Sequence, residues 1–238
     1  MRTPQSRREL AESDELLSAE REARAAGCRF VAGVDEAGRG PLAGPVIAAA
    51  VVLPVGVPLP GVFDSKALSA KVREELFDAL HALPGIRIGV GRAEVAEIDR
   101  LNILRATHLA MRRALEALEE VDFALVDGLP VPGLPVPSRN IVKGDARCAA
   151  IAAASIVAKV TRDRIMIEAD REFPGYGFAA HKGYGCASHL KALKELGATP
   201  LHRRSFRPVR EVLNGEEPPE QLELWSGAAA EEAESETR

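Results

Sequence analysis

Short apolar runs alternate along the chain with longer stretches in which apolar and polar positions follow a helical period. The apolar runs are rich in β-branched residues and are bounded by glycine, proline or acidic residues, which is typical of buried strands. They predict five strands, over RFVAGVD, GPVIAAAVVLP, IRIGVGRAE, FALVDG and NIVKGD (29–35, 44–54, 86–94, 123–128 and 140–145).

The longer stretches predict helices between and after these strands. The helical period runs over 5–26, closed by a glycine, and over 70–82, 102–119 and 149–173. The last of these is rich in alanine in its first half, which indicates close packing against a sheet. Strands that alternate with helices predict an α/β fold with a mixed central sheet flanked by helices.

Length, charge and cysteine content narrow the class of protein. The 238 residues suffice for one main domain, and no apolar run approaches the length of a membrane helix, so we expect a cytoplasmic protein. The three cysteines are far apart and are expected to be reduced thiols. The net charge is −4, but residues 215–238 hold eight Glu and one Arg, so the preceding residues carry a net charge of +3.

Three acidic residues share one local pattern, in which an apolar strand runs into an acid that a small residue follows, and a fourth acid adjoins the first of them. Asp35 ends VAGVD and is followed by Glu36, Asp127 ends FALVD, and Asp145 ends NIVKGD. In α/β sheets ligands gather at the carboxyl ends of strands, because the loops leave the sheet there. Convergence of these strand ends would place all four carboxylates in one cleft.

Such a cluster favours a metal site. Carboxylates that lie close together repel one another unless a divalent cation compensates their charge, and hard oxygen donors suit Mg²⁺ or Mn²⁺ rather than zinc. Two such ions can activate water and stabilise the pentacoordinate phosphate of a phosphodiester. The alternative is that each acid caps a helix or faces water. It is the better interpretation for one acid taken alone, whereas the repeated pattern favours the metal.

One geometric difficulty concerns the neighbours Asp35 and Glu36. Consecutive residues on a regular strand point to opposite faces, so both can serve one site only where the strand ends or twists. The glycines that follow in GRG provide that freedom.

Several stretches taken together resemble the ribonuclease HII family, the type 2 ribonucleases H of bacteria. They are GVDEAGRGPLAGPV, DSK at 64–66, the VDG strand end, KGDARCAAIAAASIVAKVTRDR and HKGYG at 181–185, which follow in order over 30–210. The resemblance implies an RNase H-like fold with a C-terminal helical part. It also implies cleavage of the RNA strand of RNA/DNA hybrids, and cutting 5′ of ribonucleotides embedded in duplex DNA, with Mg²⁺ or Mn²⁺ and release of 5′-phosphomonoesters.

The resemblance also assigns residue roles. It makes the four acids the catalytic metal ligands, and it gives recognition of the ribose 2′-hydroxyl to the backbone of Gly38, Arg39 and Gly40 together with Tyr184. Only ribose carries that hydroxyl, and glycines let the backbone approach it closely. The DSK element, Ser65 and Lys66, is expected to contact backbone phosphate.

Composition, together with the span of the resemblance, predicts a division of the chain. We expect an N-terminal charged helix (1–27), a catalytic domain with its helical part (28–214) and an acidic, flexible tail (215–238), and we take a monomer as the default. The tail contains QLELW, in which Gln221 to Trp225 resemble the short motif that binds the replicative sliding clamp. Packing of this peptide against the domain's own surface is the alternative.

Further interpretations stay open at this point. HRRSFRPVR (202–210), with Arg203, Arg204, Arg207 and Arg210, suits a phosphate backbone but equally a solvated helix end. For the whole chain, the alternatives are another RNase H-like metal-dependent nuclease or resolvase, and a non-catalytic nucleic-acid-binding adaptor. Divalent-ion-dependent cleavage of a duplex with one ribonucleotide separates the three.

Overall fold

The structure is a computed structural model, and it describes residues 16–56 and 68–215. Its strands are β1 (Val31–Ala37), β2 (Val46–Val52), β3 (Arg87–Ala93), β4 (Phe123–Asp127) and β5 (Ser138–Ile141). Its helices are α1 (Ser18–Ala25), α2 (Ala70–His81), α3 (Val95–Leu101), α4 (Ile103–Glu116), α5 (Ala149–Glu172), α6 (Phe178–His181), α7 (Ala187–Leu196) and α8 (Arg207–Leu213). A 3₁₀ turn, Gly144–Ala146, precedes α5.

The strands form one mixed sheet in the order β3-β2-β1-β4-β5. β1 pairs antiparallel with β2 and β2 antiparallel with β3, whereas β1, β4 and β5 are parallel. Every residue of the inner strand β2 is buried, as expected for a strand covered on both faces. The predicted α/β class and mixed sheet are therefore confirmed.

Helices cover both faces of this sheet. A Cβ on Gly33 of β1 would stand 2.1 Å from the carbonyl carbon of Ala150, so the alanine-rich start of α5 packs directly on the strand. On β3, a Cβ on Gly91 would stand 2.0 Å from the carbonyl oxygen of Ala110 in α4. The pairing of β1, β2 and β3 places Gly33 and Gly91 on opposite faces of the sheet.

The chain divides into two compact units. The first comprises Met1–Ala37, Val46–Ala93 and Ile103–Arg162, and the second comprises Gly38–Pro45, Glu94–Asn102 and Asp163–Arg238. The sheet with α1, α2 and α4 belongs to the first unit, whereas α3, α6, α7 and α8 belong to the second. The domain limits 1–27, 28–214 and 215–238 stay predictions.

Some predicted boundaries are wrong. β1 continues two residues beyond Asp35, because Glu36 and Ala37 still pair with β2. The predicted strand over 140–145 is displaced, since β5 ends at Ile141. The predicted helix over 102–119 begins at Ile103 and ends at Glu116, and the separate helix α3 precedes it. α5 agrees with its prediction to within one residue at its end.

Two further observations concern the described residues. Cys28, Cys148 and Cys186 are all free thiols, as expected. No helix among the described residues is both long and apolar enough to cross a membrane.

Candidate active site

Two of the predicted metal ligands stand side by side on neighbouring parallel strands. The register pairs Val34 of β1 with Val126 of β4, so the next residue on each strand is an aspartate, Asp35 and Asp127. Residues in register on parallel strands point to the same face. The predicted convergence of these two acids at one edge of the sheet is therefore present in the first unit.

Asp35 is a buried carboxylate among other acids. Burial raises its pKa well above the ordinary value, and the negative charges of Glu36 and Asp127 raise it further. Hydrogen bonds from the Glu36 amide and the Ser155 hydroxyl oppose the rise. The Glu36 amide donates to Asp35 Oδ1 over 2.7 Å, which fixes the carboxylate. The expected strand end between the two residues is absent, because both lie within β1, but the charge of Glu36 still acts on Asp35.

Asp145 reaches the same edge of the sheet by a different route from the one predicted. It lies not at a strand end but in the 3₁₀ turn four residues after β5, and it is buried. The turn is held to β4, because the Gly144 amide donates to Asp127 Oδ1 over 2.6 Å. Lys143, with φ 55°, introduces the turn in the left-handed region.

Gly144 leaves no room for a side chain. A Cβ there would stand 2.6 Å from Ile151 Cδ1 and 3.2 Å from Asp127 Oδ1. The glycine therefore allows the turn that carries Asp145 to approach both α5 and the Asp127 carboxylate. Sequence reasoning missed this role, although the KGD letters were part of the resemblance.

The predicted metal ligands are carboxylates that do not form a closed group by themselves. Within residues 16–56 and 68–215, no three or more His, Cys, Asp and Glu side chains are grouped closely enough to hold an ion by themselves. Carboxylates that lie close together repel one another unless a divalent cation compensates their charge. The negative charges that act on the buried Asp35 are those of Glu36 and Asp127, and carboxylate oxygens are donors whose chemistry fits Mg²⁺ or Mn²⁺.

The GRG segment belongs to the second unit, and a buried arginine organises it. Gly38 is buried with φ 100°, whereas Arg39 and Gly40 are exposed. Arg203 Nε donates to the carbonyl oxygen of Gly44 over 3.0 Å. Its Nη1 and Nη2 donate to the carbonyl oxygens of Arg39 and Gly38, over 2.8 and 2.5 Å.

Arg203 corrects the interpretation of HRRSFRPVR as one basic surface. Its side chain is fully buried, so neither an exposed phosphate contact nor a solvated helix end describes it. Arg204, Arg207 and Arg210 are exposed, and Arg207 pairs with Glu211 over 2.6 Å. The local sequence does not show that Arg203 is buried whereas the neighbouring arginines are exposed, because its burial depends on contacts with residues about 160 positions away in the sequence.

Tyr184 lies beside the GRG segment within the second unit. Its ring atom Cε1 is 3.6 Å from the position of a Cβ on Gly40, and 49% of the residue is exposed. The turns that carry the two residues are tied together, because the Leu42 amide donates to the carbonyl oxygen of Gly183 over 2.8 Å. The predicted partnership of GRG and Tyr184 is thus matched by their proximity.

Some predicted residues lie outside the described part of the chain. They are Ser65 and Lys66 of the DSK element, the tail peptide from Gln221 to Trp225, and residues 5–15 of the helix predicted over 5–26.

Comparison with known proteins places the chain in a family. The family model described as Ribonuclease HII matches residues 32–209. A ribonuclease HII of Geobacter metallireducens is 59% identical over 186 residues, which cover 78% of this chain and 87% of that protein. A ribonuclease HII of Geobacillus kaustophilus is 54% identical over 205 residues, which cover 86% of this chain and 78% of that protein.

Solved structures show the same fold. The ribonuclease H2 of Pyrococcus horikoshii OT3 has a TM-score of 0.67 and 29% identity, covering 79% of this chain and 98% of that one. The ribonuclease HII of Archaeoglobus fulgidus, in complex with PCNA, has a TM-score of 0.65 and 26% identity, covering 75% and 96%. Bst ribonuclease HIII in complex with Mn²⁺ is similar in fold alone, with a TM-score of 0.62 and 18% identity, covering 90% and 75%. The chain therefore belongs to the ribonuclease HII family and is a ribonuclease H, a hydrolytic endonuclease.

Proposed function

We propose that this ribonuclease H cleaves the RNA strand of RNA/DNA hybrids and cuts 5′ of single ribonucleotides embedded in duplex DNA, using Mg²⁺ or Mn²⁺. The observation that carries the proposal is the buried Asp35 carboxylate, whose pKa is raised by burial and by the neighbouring Glu36 and Asp127. Such an arrangement is unfavourable for folding alone and is typical of a site built to hold cations.

Four acids are the proposed ligands, Asp35, Glu36, Asp127 and Asp145. When bound, a pair of divalent cations supplies the positive charge that activates water and stabilises the phosphorane-like transition state. The chain's own part is to hold the carboxylates: Ser155 and the Glu36 amide orient Asp35, and the Gly144 amide orients Asp127. These acids all belong to the first unit.

The second unit carries the residues proposed to read the sugar. The backbone of Gly38, Arg39 and Gly40 is assigned to the 2′-hydroxyl, and the exposed Tyr184 ring to the neighbouring deoxyribose. Arg203 supports this assignment by fixing the Gly38 and Arg39 carbonyl groups. Ser65 and Lys66 are proposed to contact backbone phosphate.

The metal site is tested by replacing Asp127 with asparagine. Asp127→Asn keeps the shape but removes a charge, so we expect Mg²⁺-dependent cleavage to fall by about 100-fold or more. Asp78→Asn, on the exposed face of α2, is the matched control. Full activity of Asp127→Asn on a hybrid substrate would show that the carboxylates have another role.

The proposed recognition of the ribose–deoxyribose junction is tested by replacing Tyr184. Tyr184→Ala removes the ring, and we expect cleavage at a single embedded ribonucleotide to fall about tenfold more than cleavage of a uniform hybrid. Tyr184→Phe keeps the ring and should retain most of the activity. Equal rates for wild type and Tyr184→Ala on the single-ribonucleotide duplex would remove the assigned role.

The tail peptide from Gln221 to Trp225 is proposed to bind a sliding clamp. The support is its match to the short clamp-binding pattern, together with the complex of the Archaeoglobus fulgidus relative with PCNA. Deletion of 215–238 should abolish co-purification with the clamp and leave the kcat for hybrid cleavage unchanged at saturating substrate. Co-purification that survives the deletion would contradict the proposed clamp binding.

Location in the cytoplasm and the monomeric state stay predictions.

A further inference from the structure

Three histidines of the second unit pack against one another, and one of them, His189, contacts the backbone of Tyr184. His189 and His202 are fully buried, and their Nε2 atoms are 3.1 Å apart. His189 Nδ1 is 2.9 Å from the carbonyl oxygen of Tyr184. His181 stacks on His189 with ring centroids 4.5 Å apart.

The proton positions in this chain of hydrogen bonds follow from one backbone amide. The Thr199 N–H donates to His202 Nδ1 over 2.9 Å, and an amide N–H can only donate, so Nδ1 carries no proton. The neutral His202 ring therefore bears its proton on Nε2 and donates to His189 Nε2. His189 in turn bears its proton on Nδ1 and donates to the Tyr184 carbonyl oxygen.

The surrounding packing holds the rings in these orientations. Phe178 meets His189 edge-on, with an interplanar angle of 83° and centroids 5.4 Å apart. Tyr176 and Phe178 both contact His202, at centroid distances of 5.3 and 5.7 Å. Burial lowers the pKa of His189 to about 4 and that of His202 to about 3, so both rings are neutral at physiological pH.

The hydrogen-bonded histidines also contact the segment that follows GRG. His202 forms a β-bridge with Ala43, and the Gly44 amide donates to the carbonyl oxygen of Leu201 over 2.8 Å. The next residue, Arg203, holds the Gly38 and Arg39 carbonyl groups. One end of the histidine chain thus contacts the strand-like segment beside GRG, and the other end contacts Tyr184.

We propose that the His202–His189 hydrogen-bonded pair is a positioning device that holds the Tyr184 backbone in fixed register with the GRG segment. The Tyr184 ring remains exposed while its carbonyl oxygen is held by His189, so the pair fixes where the ring stands without occupying the ring itself. The inference rests on the proposed role of Tyr184 in sugar reading. His189 and His202 act through Tyr184 and touch no substrate.

The tautomers provide a direct spectroscopic test on the whole protein. Nitrogen-15 NMR of the imidazole rings at pH 7.5 should show a protonated Nδ1 on His189 and a protonated Nε2 on His202. The opposite tautomer on either ring would contradict the chain of donors and overturn the inference.

Kinetics test what the pair does. The junction preference is the ratio of kcat/KM on duplex DNA with one ribonucleotide to kcat/KM on a uniform RNA/DNA hybrid. His189→Leu removes the donor to Tyr184, so we expect this ratio to fall about tenfold through misplacement of the ring. His189→Asn places an amide near the position of Nδ1 and should restore most of the ratio. The control is His81→Leu, on the exposed face of α2.

A double-substitution cycle separates positioning from general stability. In a Tyr184→Ala background, His189→Leu should leave the junction preference unchanged, because no ring remains to be positioned. An equal loss on both substrates, or the same loss of the ratio with and without Tyr184, would overturn the inference. If Tyr184→Ala itself leaves the ratio unchanged, the proposed role of Tyr184 fails together with this inference. If it lowers the ratio whereas His189→Leu does not, only this inference fails.

Discussion

At the scale of single residues, the setting of Asp35 is unfavourable for folding but suits the proposed metal site. Burial and two acidic neighbours destabilise the ionised form of Asp35, which is why its pKa is raised. Hydrogen bonds from the Glu36 amide and the Ser155 hydroxyl stabilise the ionised form, but they offset only part of this effect. In the proposed site, a bound cation would make this arrangement favourable.

This view predicts opposite effects of Asp35→Asn on stability and activity. The neutral amide relieves the repulsion, so the free energy of unfolding of the metal-free protein should rise, while cleavage falls by at least about 100-fold. Thermal unfolding with and without Mg²⁺ measures the first effect. Mg²⁺ should raise the Tm of the wild type and not that of the variant. The prediction would be contradicted if the variant were less stable than the wild type and if Mg²⁺ did not change the Tm of the wild type.

The buried histidines predict a loss of stability in mild acid. The pKa values of His189 and His202 are lowered from 6.5 to about 4 and about 3, by burial and by neighbouring histidines that include His181. Below pH 6.5 the two histidines are protonated in the unfolded chain but stay neutral in the folded protein. Their neutral burial therefore leaves the free energy of unfolding unaffected above this pH and lowers it progressively as the pH falls below it. Between pH 7.5 and 5.0 each histidine should remove about 2 kcal/mol from the free energy of unfolding.

Urea unfolding at these two pH values measures the loss. His202→Gln cannot titrate, so the variant should lose about 2 kcal/mol less than the wild type over the same range, whatever its stability at pH 7.5. Identical pH dependence in the two proteins would show that His202 is not held neutral by burial.

The candidate residues differ in how far the sequence could predict them. Asp35, Asp127 and Tyr184 stand in local patterns of strand, acid and glycine, so their letters already indicate their setting. Arg203 and His202 do not, because HRRSF is typical of a basic surface. Their burial arises from pairing with residues 38–44, which no local pattern encodes.

At the scale of elements, α1 is docked on the helix that follows the Asp145 turn. Glu20 of α1 is buried, and its Oε1 accepts from the Ala150 amide over 2.9 Å at the first turn of α5. A negative charge at a helix N-terminus is favourable, and it satisfies an amide that has no partner within the helix. Nearby, Arg24 donates to the carbonyl oxygen of Leu53 over 3.0 Å.

Glu20→Ala should therefore destabilise the protein through α5. We expect the free energy of unfolding to fall by about 1 to 2 kcal/mol, measured by urea unfolding. Glu22→Ala is the matched control, because Glu22 lies on the same helix and makes an exposed ion pair with Arg139, worth less than about 1 kcal/mol. Equal effects of the two substitutions would show that Glu20 does not cap α5.

The sequence predicts elements better where burial is uniform. The apolar runs of β1 to β4 and the alanine-rich start of α5 indicate their structure directly. β5 is misplaced because its residues Ser138–Ile141 are mostly polar and exposed, so no apolar pattern marks it. α3 is missed because it has only seven residues and is separated from α4 by Asn102, whose φ of 71° no periodicity reveals.

At the scale of the whole molecule, charge is distributed unevenly along the chain. The net charge is −4, yet the eight glutamates after residue 214 account for the negative balance. Cations on the body favour a phosphate backbone, whereas a linked acidic segment competes with it at low ionic strength.

Removing residues 215–238 should therefore tighten binding to an RNA/DNA hybrid. We expect the Kd to fall about two- to fivefold in about 50 mM salt, with the difference vanishing as salt screens the charges. A variant with the eight glutamates replaced by glutamine should behave like the deletion, which separates charge from the clamp-binding peptide. Weaker binding after deletion would mean that the tail contributes to the complex with nucleic acid.

The most direct test of the central claim uses a labelled DNA duplex that contains one ribonucleotide. With Mg²⁺ or Mn²⁺ we predict a single nick on the 5′ side of the ribonucleotide, leaving a 5′-phosphate on it. We predict no cleavage of the all-DNA duplex and none in the presence of EDTA. Equal cleavage of the all-DNA duplex, cleavage in EDTA, or no cleavage of the ribonucleotide-containing strand would contradict the account.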